Sequence, residues 1–268
     1  MSITVATAQF AAGTDKEENL TQIRTLIADA ATADARLVIL PENSMYSSAN
    51  ASDVEKSKAA ETLTGHFVSE LTEFAHEFGV DVVAGMTEIC DTDTRSFNTL
   101  VHVTSDGQLN GVYRKIHLYD AFGYRESDTV IAADHAAPLI FDLDGVRFGA
   151  ITCYDLRFPE IARCLIDAGA DAIILPAAWV AGPMKETHWE ILLRARAIEN
   201  TAYVVGVGQT GPTCTGLSMT VDPMGVVISN GAEAIGLGVA TIDAARVAQV
   251  RKANPSLSNR RFTVTPAA

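Results

Sequence analysis

The sequence predicts an α/β fold, because short apolar segments typical of buried strands alternate along the chain with segments that have the apolar spacing of helices. The chain has 268 residues, of which 48% are hydrophobic, and this is enough for a large core. We find no internal repeat, low-complexity tract or linker. The sequence therefore predicts one layered domain over residues 1–268, with helices covering mixed sheets.

The first elements are a strand, a helix and a second strand. Residues 3–10 alternate between the two faces as a strand does. Asp15 is a suitable helix N-cap with acidic residues after it, and the helical spacing continues to about Ala33. A short apolar strand follows at residues 36–40 and is broken by Pro41. This order is that of a strand–helix–strand unit.

The next segment predicts a helix and a group of strands. Five apolar residues lie on one stripe of a helix that we place at roughly residues 61–78, and Gly79 ends it. Residues 80–85 read as the next strand. Two more strands, joined by an Asp-Gly turn, are predicted near residues 97–104 and 108–115.

The second half of the chain continues the alternation. Another pair of strands lies around Asp144 and Gly145, and a helix follows Cys153. A second helix is expected near residues 186–199. Strands are expected at residues 140–142, 146–152, 171–175, 202–208, 216–221, 225–229 and 236–242.

The charge of the chain excludes two classes of partner. The formal net charge is −13, and no run of basic residues is present. Nucleic acid and anionic membranes are bound by clustered Lys and Arg, so we expect neither as a partner. The N-terminus lacks the basic region of a signal peptide, and no apolar run reaches membrane-spanning length.

The four cysteines indicate a reduced protein rather than a disulfide framework or a metal site. They form no C-x-x-C pair and none has zinc-site spacing from a histidine. A chain of this size does not need disulfides to be stable. We therefore expect free thiols and a cytoplasmic location. The cysteines are Cys90, Cys153, Cys164 and Cys214.

Three chemically distinct side chains follow predicted strands. Glu42, Lys115 and Cys153 each lie at or just beyond a strand end. Ligand sites of α/β sheets gather at the carboxyl ends of strands, so these three could converge. Taken singly, each has an ordinary interpretation: a surface or capping carboxylate, a solvated lysine, and a cysteine buried as a small hydrophobe.

Together the three residues suit nucleophilic catalysis. A free thiol has a pKa of about 8.5 and is mostly protonated at neutral pH. A nearby carboxylate can accept the thiol proton, and a lysine with a backbone N–H can stabilise an oxyanion. The set suits attack on a carbon bonded to nitrogen, with no metal and no organic cofactor required.

Seven motifs occur in a specific order and spacing along the chain: residues 40–43, 113–118, 153–160, 188–190, 194–200, 216–218 and 221–225. On these motifs the sequence resembles the nitrilase, or carbon–nitrogen hydrolase, superfamily over nearly its whole length, nearest to the omega-amidase and deaminated-glutathione-amidase branch. The resemblance implies a four-layer αββα sandwich that forms homodimers or larger homo-oligomers.

The same resemblance implies catalytic roles. Glu42, Lys115 and Cys153 correspond to the Glu-Lys-Cys triad of the superfamily, and the backbone N–H of Tyr154 to an oxyanion donor. Many members use a second glutamate between the lysine and the cysteine, and Glu126 matches it here. Two other carboxylates of the same stretch, Asp120 and Asp128, are alternatives of a different residue type.

The remaining motif residues are given pocket or structural roles. Those expected to line the substrate pocket are Tyr46, Arg125, Trp179 and His188. A cation among them could bind a substrate carboxylate, and the helix that His188 begins is expected at the dimer interface. We expect the ions that fix the turn after Cys153 to be Asp155, Arg157 and Glu160, and we expect His117 to anchor its strand rather than to take part in catalysis.

The function expected from this combination is hydrolysis of a small carboxylated amide through a cysteine thioester, with release of ammonia. The main alternative is an N-carbamoyl amine or amino-acid hydrolase. A nitrilase is disfavoured because the chain lacks the long C-terminal extension common in nitrilases. A non-catalytic dimeric scaffold is disfavoured by the intact Glu42, Lys115 and Cys153.

Overall fold

The structure is a computed structural model that describes residues 2–48, 53–134 and 138–265. Its helices are α1 Lys16–Thr32, α2 Asp53–Ala59, α3 His66–Phe78, α4 Pro159–Asp167, α5 Lys185–Asn200 and α6 Ala244–Ala253. Its strands are β1 Ser2–Gln9, β2 Leu37–Ile39, β3 Asp81–Ile89, β4 Ser96–Val103, β5 Leu109–Arg114, β6 Asp120–Ala121, β7 Tyr124–Arg125, β8 Leu139–Leu143, β9 Val146–Ala150, β10 Ala172–Ala177, β11 Tyr203–Gly208, β12 Met219–Val221, β13 Val227–Asn230 and β14 Gly236–Asp243.

The strands form two large mixed sheets. The first has the order β14-β1-β2-β3-β4-β5, and the second has the order β13-β12-β11-β10-β9-β8. Strands β1, β2 and β3 are parallel to one another, as are β9, β10 and β11, and the outer strands pair antiparallel. Parallel neighbours need crossover connections, which α1, α3, α4 and α5 supply.

Alternation along the strands divides the core into layers. In β1, Val5 belongs to a buried cluster that also holds residues of the second sheet, such as Val204 and Val205. The next residue, Ala6, faces the opposite way and packs with α1 and α3. Helices α4 and α5 cover the outer face of the second sheet. The sheets therefore pack face to face between two helical layers, which confirms the αββα sandwich.

Two helix ends follow from their sequence signals. Asp15 caps α1, and its side chain accepts hydrogen bonds from the backbone N–H groups of Glu17 and Glu18. Gly79 ends α3 in the left-handed conformation with φ of 68°, which costs a glycine little because it has no Cβ. Both predicted ends are confirmed.

The beginning of α3 differs from its prediction. The apolar stripe predicted a helix from about residue 61, but α3 begins at His66. Glu61 instead forms an isolated parallel bridge with Glu88, and its Oε2 accepts from the backbone N–H of Phe67 at 2.7 Å. This sheet pairing holds residue 61 outside the helix, and its carboxylate takes one of the free N–H groups of the first turn.

Four elements were not predicted from the sequence: α2, α6, β6 and β7. Helix α6 lacks a clear apolar stripe, since its buried residues are Val247 and Val250. Its start is nevertheless capped, because Oδ1 of Asp243 accepts from the N–H of Ala245 at 2.9 Å. No helix in the described ranges is long and apolar enough to cross a membrane.

Candidate active site

A cavity of about 400 Å³ opens where strand ends of both sheets meet. Glu42 follows β2, Lys115 directly follows β5, and Cys153 follows β9. All three line the cavity, and they are 2%, 2% and 8% exposed. The structure thus brings the three predicted strand-end residues together, from positions far apart in the sequence.

The backbone presents Cys153 at a sharp turn. Cys153 has φ of 49°, a left-handed conformation that is uncommon for residues other than glycine. It begins a 3₁₀ turn over Cys153–Arg157, which is followed by Pro159 as the first residue of α4. A strained non-glycine backbone held by its surroundings is a frequent feature of functional sites.

The Glu42 carboxylate is held by three donors. Its Oε1 accepts from Nζ of Lys115 at 2.9 Å and from Nδ2 of Asn98 at 2.8 Å. Its Oε2 accepts from the backbone N–H of Ala178 at 2.6 Å, just beyond β10 in the other sheet. The carboxylate is therefore fixed at the junction of the two sheets.

Lys115 lies between two carboxylates. Its Nζ is 2.9 Å from Oε1 of Glu42 and 2.9 Å from Oε2 of Glu126. Nδ2 of Asn98 also donates to Oε1 of Glu126, at 3.1 Å. The backbone N–H of Tyr119 donates to Oε2 of the same carboxylate at 2.6 Å. One ammonium and one amide thus organise both glutamates.

The pKa values of these groups shift in directions that fit their neighbours. Burial alone would lower the pKa of Lys115, but Glu126 and Glu42 outweigh it and hold that pKa well above 10.5. Burial alone would raise the pKa of Glu42, but Lys115 and the Ala178 N–H together lower it. Burial, and then the charge of Glu42, raise the pKa of the Cys153 thiol. The resting site therefore holds a neutral thiol beside a carboxylate.

Asp155 ties the cysteine turn to the loop after β5. Its Oδ1 binds Nδ1 of His117 at 2.7 Å, and its Oδ2 accepts from the Tyr113 hydroxyl at 2.7 Å and from the N–H of Thr152 at 3.0 Å. Asp155 is fully buried, and the His117 ring stacks on Phe158. These contacts fit the structural roles expected for Asp155 and His117.

The second carboxylate beside the lysine is Glu126 rather than either alternative. Asp120 lies on the exposed β6–β7 hairpin, where its Oδ2 accepts from the Ser127 hydroxyl at 2.7 Å. Asp128 is exposed and lies 3.6 Å from Nε of Arg125. Both short side chains therefore engage surface partners.

The four residues expected in the pocket divide into two pairs. Tyr46 and Trp179 line the cavity, as does Tyr154, but Arg125 and His188 are not among its lining residues. Arg125 lies in β7 with 72% of its side chain exposed, so it extends into solvent. His188 lies one turn inside α5, and the residue of α5 that reaches the cavity is Lys185.

Among the cavity residues that sequence reasoning missed or gave another role are Asn98, Arg157 and Lys185. Asn98 could have been found as a polar residue inside the apolar strand β4, because a buried amide must find partners. Arg157 was expected to fix the cysteine turn, but it lines the cavity. Lys185 has no local signal, since a single lysine after a Gly-Pro loop resembles a surface residue.

Comparison with known proteins gives one consistent family. The family model for carbon-nitrogen hydrolase matches residues 4–252. The deaminated glutathione amidase of Escherichia coli O157:H7 is 39% identical over 96% of this chain and 97% of its own length. The protein of the same description from Bos taurus is 35% identical over 96% of this chain and 81% of its own length.

Solved structures share the fold. The Caenorhabditis elegans NitFhit protein superposes with a TM-score of 0.91 at 30% identity, and the match covers 98% of this chain and 66% of the NitFhit chain. XC1258 from Xanthomonas campestris, a CN-hydrolase superfamily protein described with an arsenic adduct in its active site, has a TM-score of 0.88 at 27% identity. That match covers 99% of this chain and all of XC1258.

Proposed function

The chain belongs to the carbon–nitrogen hydrolase family and is an enzyme that cleaves amide C–N bonds, and we propose that it hydrolyses a small carboxylated amide at Cys153 through a thioester. The observation that carries this assignment of the site is the convergence of Glu42, Lys115 and Cys153 in one cavity. The shared hydrogen-bond network of Glu42, Lys115 and Glu126 supports it further.

The first half of the reaction forms the acyl-enzyme. Glu42 accepts the thiol proton as the sulfur of Cys153 attacks the amide carbon, so the high thiol pKa is overcome by a base already in place. Nζ of Lys115 and the backbone N–H of Tyr154 stabilise the oxyanion. Glu42 then returns the proton to the amide nitrogen, the C–N bond breaks, and ammonia or an amine leaves.

The second half regenerates the enzyme. Water attacks the thioester carbon and gives a proton to Glu42, and the same two donors stabilise the second oxyanion. Collapse of this intermediate releases the carboxylic acid, and the proton returns to the sulfur of Cys153. Glu126 keeps Lys115 charged and oriented throughout, because it contacts Nζ and raises the pKa of that lysine.

Arg157 supports a carboxylated substrate. Its Nε and Nη2 are buried and have no hydrogen-bond partner among the described residues, and its Cζ lies 4.8 Å from the centre of the Trp179 ring. Arg157 as a whole is half-buried, and a guanidinium with two unpartnered donors is suited to a carboxylate, which it can bind through two hydrogen bonds. The curated relatives described as deaminated glutathione amidases point to an amide of this kind.

The direct test is mass spectrometry of intact protein mixed with ω-amides of dicarboxylic acids and with deaminated glutathione. We expect an acyl adduct on Cys153, with ammonia or amine released in solution. Cys153→Ala should show neither adduct nor turnover while keeping its fold. Turnover by that variant would refute the assignment, and carbon dioxide formed together with ammonia would indicate an N-carbamoyl hydrolase instead.

The proposal includes assembly and location. One domain over residues 1–268 would act as a homodimer or larger homo-oligomer through the outer face of α5. Two exposed apolar residues on that face, Ile191 and Ile198, support this, and Arg194 links α5 to the neighbouring turn by donating to the carbonyl of Gly225 at 3.0 Å. The four free thiols support the cytoplasm as the location.

A further inference from the structure

We propose that Lys185 is a specificity-determining residue that binds a second carboxylate of the substrate, so that the enzyme prefers amides carrying two carboxylates to amides carrying one. This inference rests on the proposed function and extends it from a carboxylated amide to a dicarboxylate. The observations that carry it are the position of Lys185 in the cavity wall, its lack of a carboxylate partner, and its closeness to Arg157.

Lys185 lies in an aromatic cage on the cavity wall. The residue is 7% exposed and lines the cavity as the first residue of α5. Its Nζ is 4.3 Å from the ring centre of Phe122, 4.8 Å from that of Tyr119 and 5.7 Å from that of Trp179. The rings remove much of the water that would otherwise solvate the ammonium, so an anion placed there would interact strongly.

The hydrogen bonding of this ammonium is incomplete. In the ranges that the structure describes, the Tyr119 hydroxyl, at 2.8 Å, is the hydrogen-bond partner of Nζ. An ammonium has three N–H donors, so two remain for a ligand. Within the same ranges, no Asp or Glu carboxylate oxygen lies within 4 Å of Nζ of Lys185 or of a guanidinium nitrogen of Arg157. Buried charges are normally paired, and these two cations are paired with no carboxylate of the described chain.

Lys185 and Arg157 share one wall. The Cζ of Arg157 is 4.8 Å from the Trp179 ring centre and 5.7 Å from that of Phe122, the same two rings that contact Lys185. Lys115, in contrast, has two carboxylate partners, Glu42 and Glu126, so the catalytic group as a whole carries one excess negative charge. The two cations of the wall are not paired with these carboxylates, and they match a substrate with two carboxylates.

A purely structural role for Lys185 makes a different prediction. The carbonyl of Lys185 accepts from Nε1 of Trp179 at 2.9 Å, so the residue also helps to position that ring. Because this contact uses the backbone, it survives substitution of the side chain. If the ammonium served only to hold the rings, its loss would affect every substrate equally, whatever its charge.

The test compares two amides of equal chain length. N-succinylglycine carries two carboxylates, and N-propylsuccinamic acid replaces the second carboxylate with an ethyl group. We expect the enzyme to have a kcat/KM roughly 10- to 100-fold higher for N-succinylglycine, the range of one charge-assisted hydrogen bond. Lys185→Met should abolish this preference by raising KM for N-succinylglycine alone. Lys185→Arg should retain most of the preference, and Lys252→Met, on the exposed face of α6, should leave it unchanged.

Binding to turnover-dead protein separates this inference from the proposed function. In the Cys153→Ala background, calorimetry should give a 10- to 100-fold lower Kd for N-succinylglycine, and adding Lys185→Met should remove the difference. The role of Lys185 would be overturned if Lys185→Met weakened the binding of both amides equally. It would also be overturned if the Cys153→Ala protein that retains Lys185 bound the two amides with equal affinity. If the Cys153→Ala protein bound N-succinylglycine more tightly but the parent protein, which has Cys153, did not hydrolyse it, the proposed function would be overturned instead.

Discussion

Lys115 is the side chain on which the charge balance of the catalytic cavity depends. Two buried carboxylates contact its Nζ, and without the cation they would be repelling charges in a region of low dielectric. The sequence could predict that Glu42, Lys115 and Cys153 meet, because each lies at a strand end and the motifs are specific. It could not predict Asn98 or Lys185 as partners, because their positions depend on how β4 and α5 pack.

Replacing Lys115 with Met should destabilise the protein by about 3–5 kcal/mol at neutral pH, because it leaves buried carboxylates unpaired. The cost should shrink as the pH falls. In the parent protein the pKa of Glu42 is lower in the folded state than in the unfolded chain, where it is 4.5. This difference stabilises the fold at pH values above 4.5, and the stabilisation is lost as the pH falls through the pKa of Glu42 in the folded protein. In the Lys115→Met protein the two carboxylates are buried without a cation, so folding favours their protonated forms. The destabilisation therefore decreases as the pH falls.

Urea unfolding of both proteins at pH 7.5 and pH 5 measures this difference. A destabilisation that is equal at the two pH values would contradict the role of unpaired carboxylates. Lys252→Met removes an exposed lysine of α6 and should leave the free energy of unfolding nearly unchanged at either pH.

Glu42→Gln should slow alkylation of Cys153 by iodoacetamide by roughly 100-fold, the usual contribution of a general base. Burial and Glu42 raise the pKa of the Cys153 thiol, so its reactivity depends on transfer of the proton to that carboxylate. Cys90 provides the internal control, because hydrogen bonding to Thr92 lowers the pKa of its thiol independently of the site. Equal labelling of Cys153 in both proteins, measured by peptide mass spectrometry, would exclude Glu42 as the base.

Strand β3 shows how an element far from the chemistry can set the position of a catalytic group. Its predicted range, residues 80–85, lies at the beginning of a longer strand, Asp81–Ile89. The sequence pattern does not predict residues 86–89 as part of this strand. These residues are in a strand because each of them pairs with a residue of β4. The same dependence on pairing partners explains why the apolar pattern predicts a helix from residue 61, whereas Glu61 pairs with β3.

Gly85→Ala should lower kcat by about 100-fold while the protein stays folded. A Cβ at Gly85 would lie 2.7 Å from Cα of Glu42 and 2.7 Å from the backbone nitrogen of Asn43, so the backbone that carries the base must move. A displacement of about 1 Å in a catalytic group costs on the order of 100-fold in rate. Steady-state kinetics and circular dichroism measure the two quantities.

Gly111→Ala is the matched control for this prediction. A Cβ at Gly111, in strand β5 of the same sheet, would lie 2.7 Å from Cδ1 of Leu139. That atom is the end of a flexible side chain, which can rotate away without moving backbone. Similar losses of kcat in both variants would mean that the effect of Gly85→Ala is general to the sheet.

The arrangement of the whole molecule was predictable as layers but not as an order of strands. Alternating strands and helices imply helices over sheets, and the αββα sandwich agrees with that. The sequence does not reveal that β14 pairs with β1, since that contact joins the first strand to the last across the whole chain. The sequence also does not reveal which helix faces remain exposed to solvent, because this depends on how the sheets and helices pack together.

Helix α5 presents such an uncovered face, and we expect it to form the dimer interface. Ile191 is 58% exposed and Ile198 is 49% exposed, whereas Trp189 and Leu193 of the same helix are buried against the second sheet. Changing both isoleucines to Asp should convert the dimer to a monomer, because it places charges in the apolar centre of the contact. Light scattering coupled to size-exclusion chromatography measures the mass.

The matched control for the interface is Ile89→Asp. Ile89 is 42% exposed at the end of β3, away from α5, so its substitution adds an acidic charge at a similarly exposed apolar site. That variant should keep the mass of the parent protein. A dimer that survives the double change in α5 would place the interface on another surface. A parent protein that is monomeric at micromolar concentration would overturn the proposed assembly while leaving the chemistry of the cavity untouched.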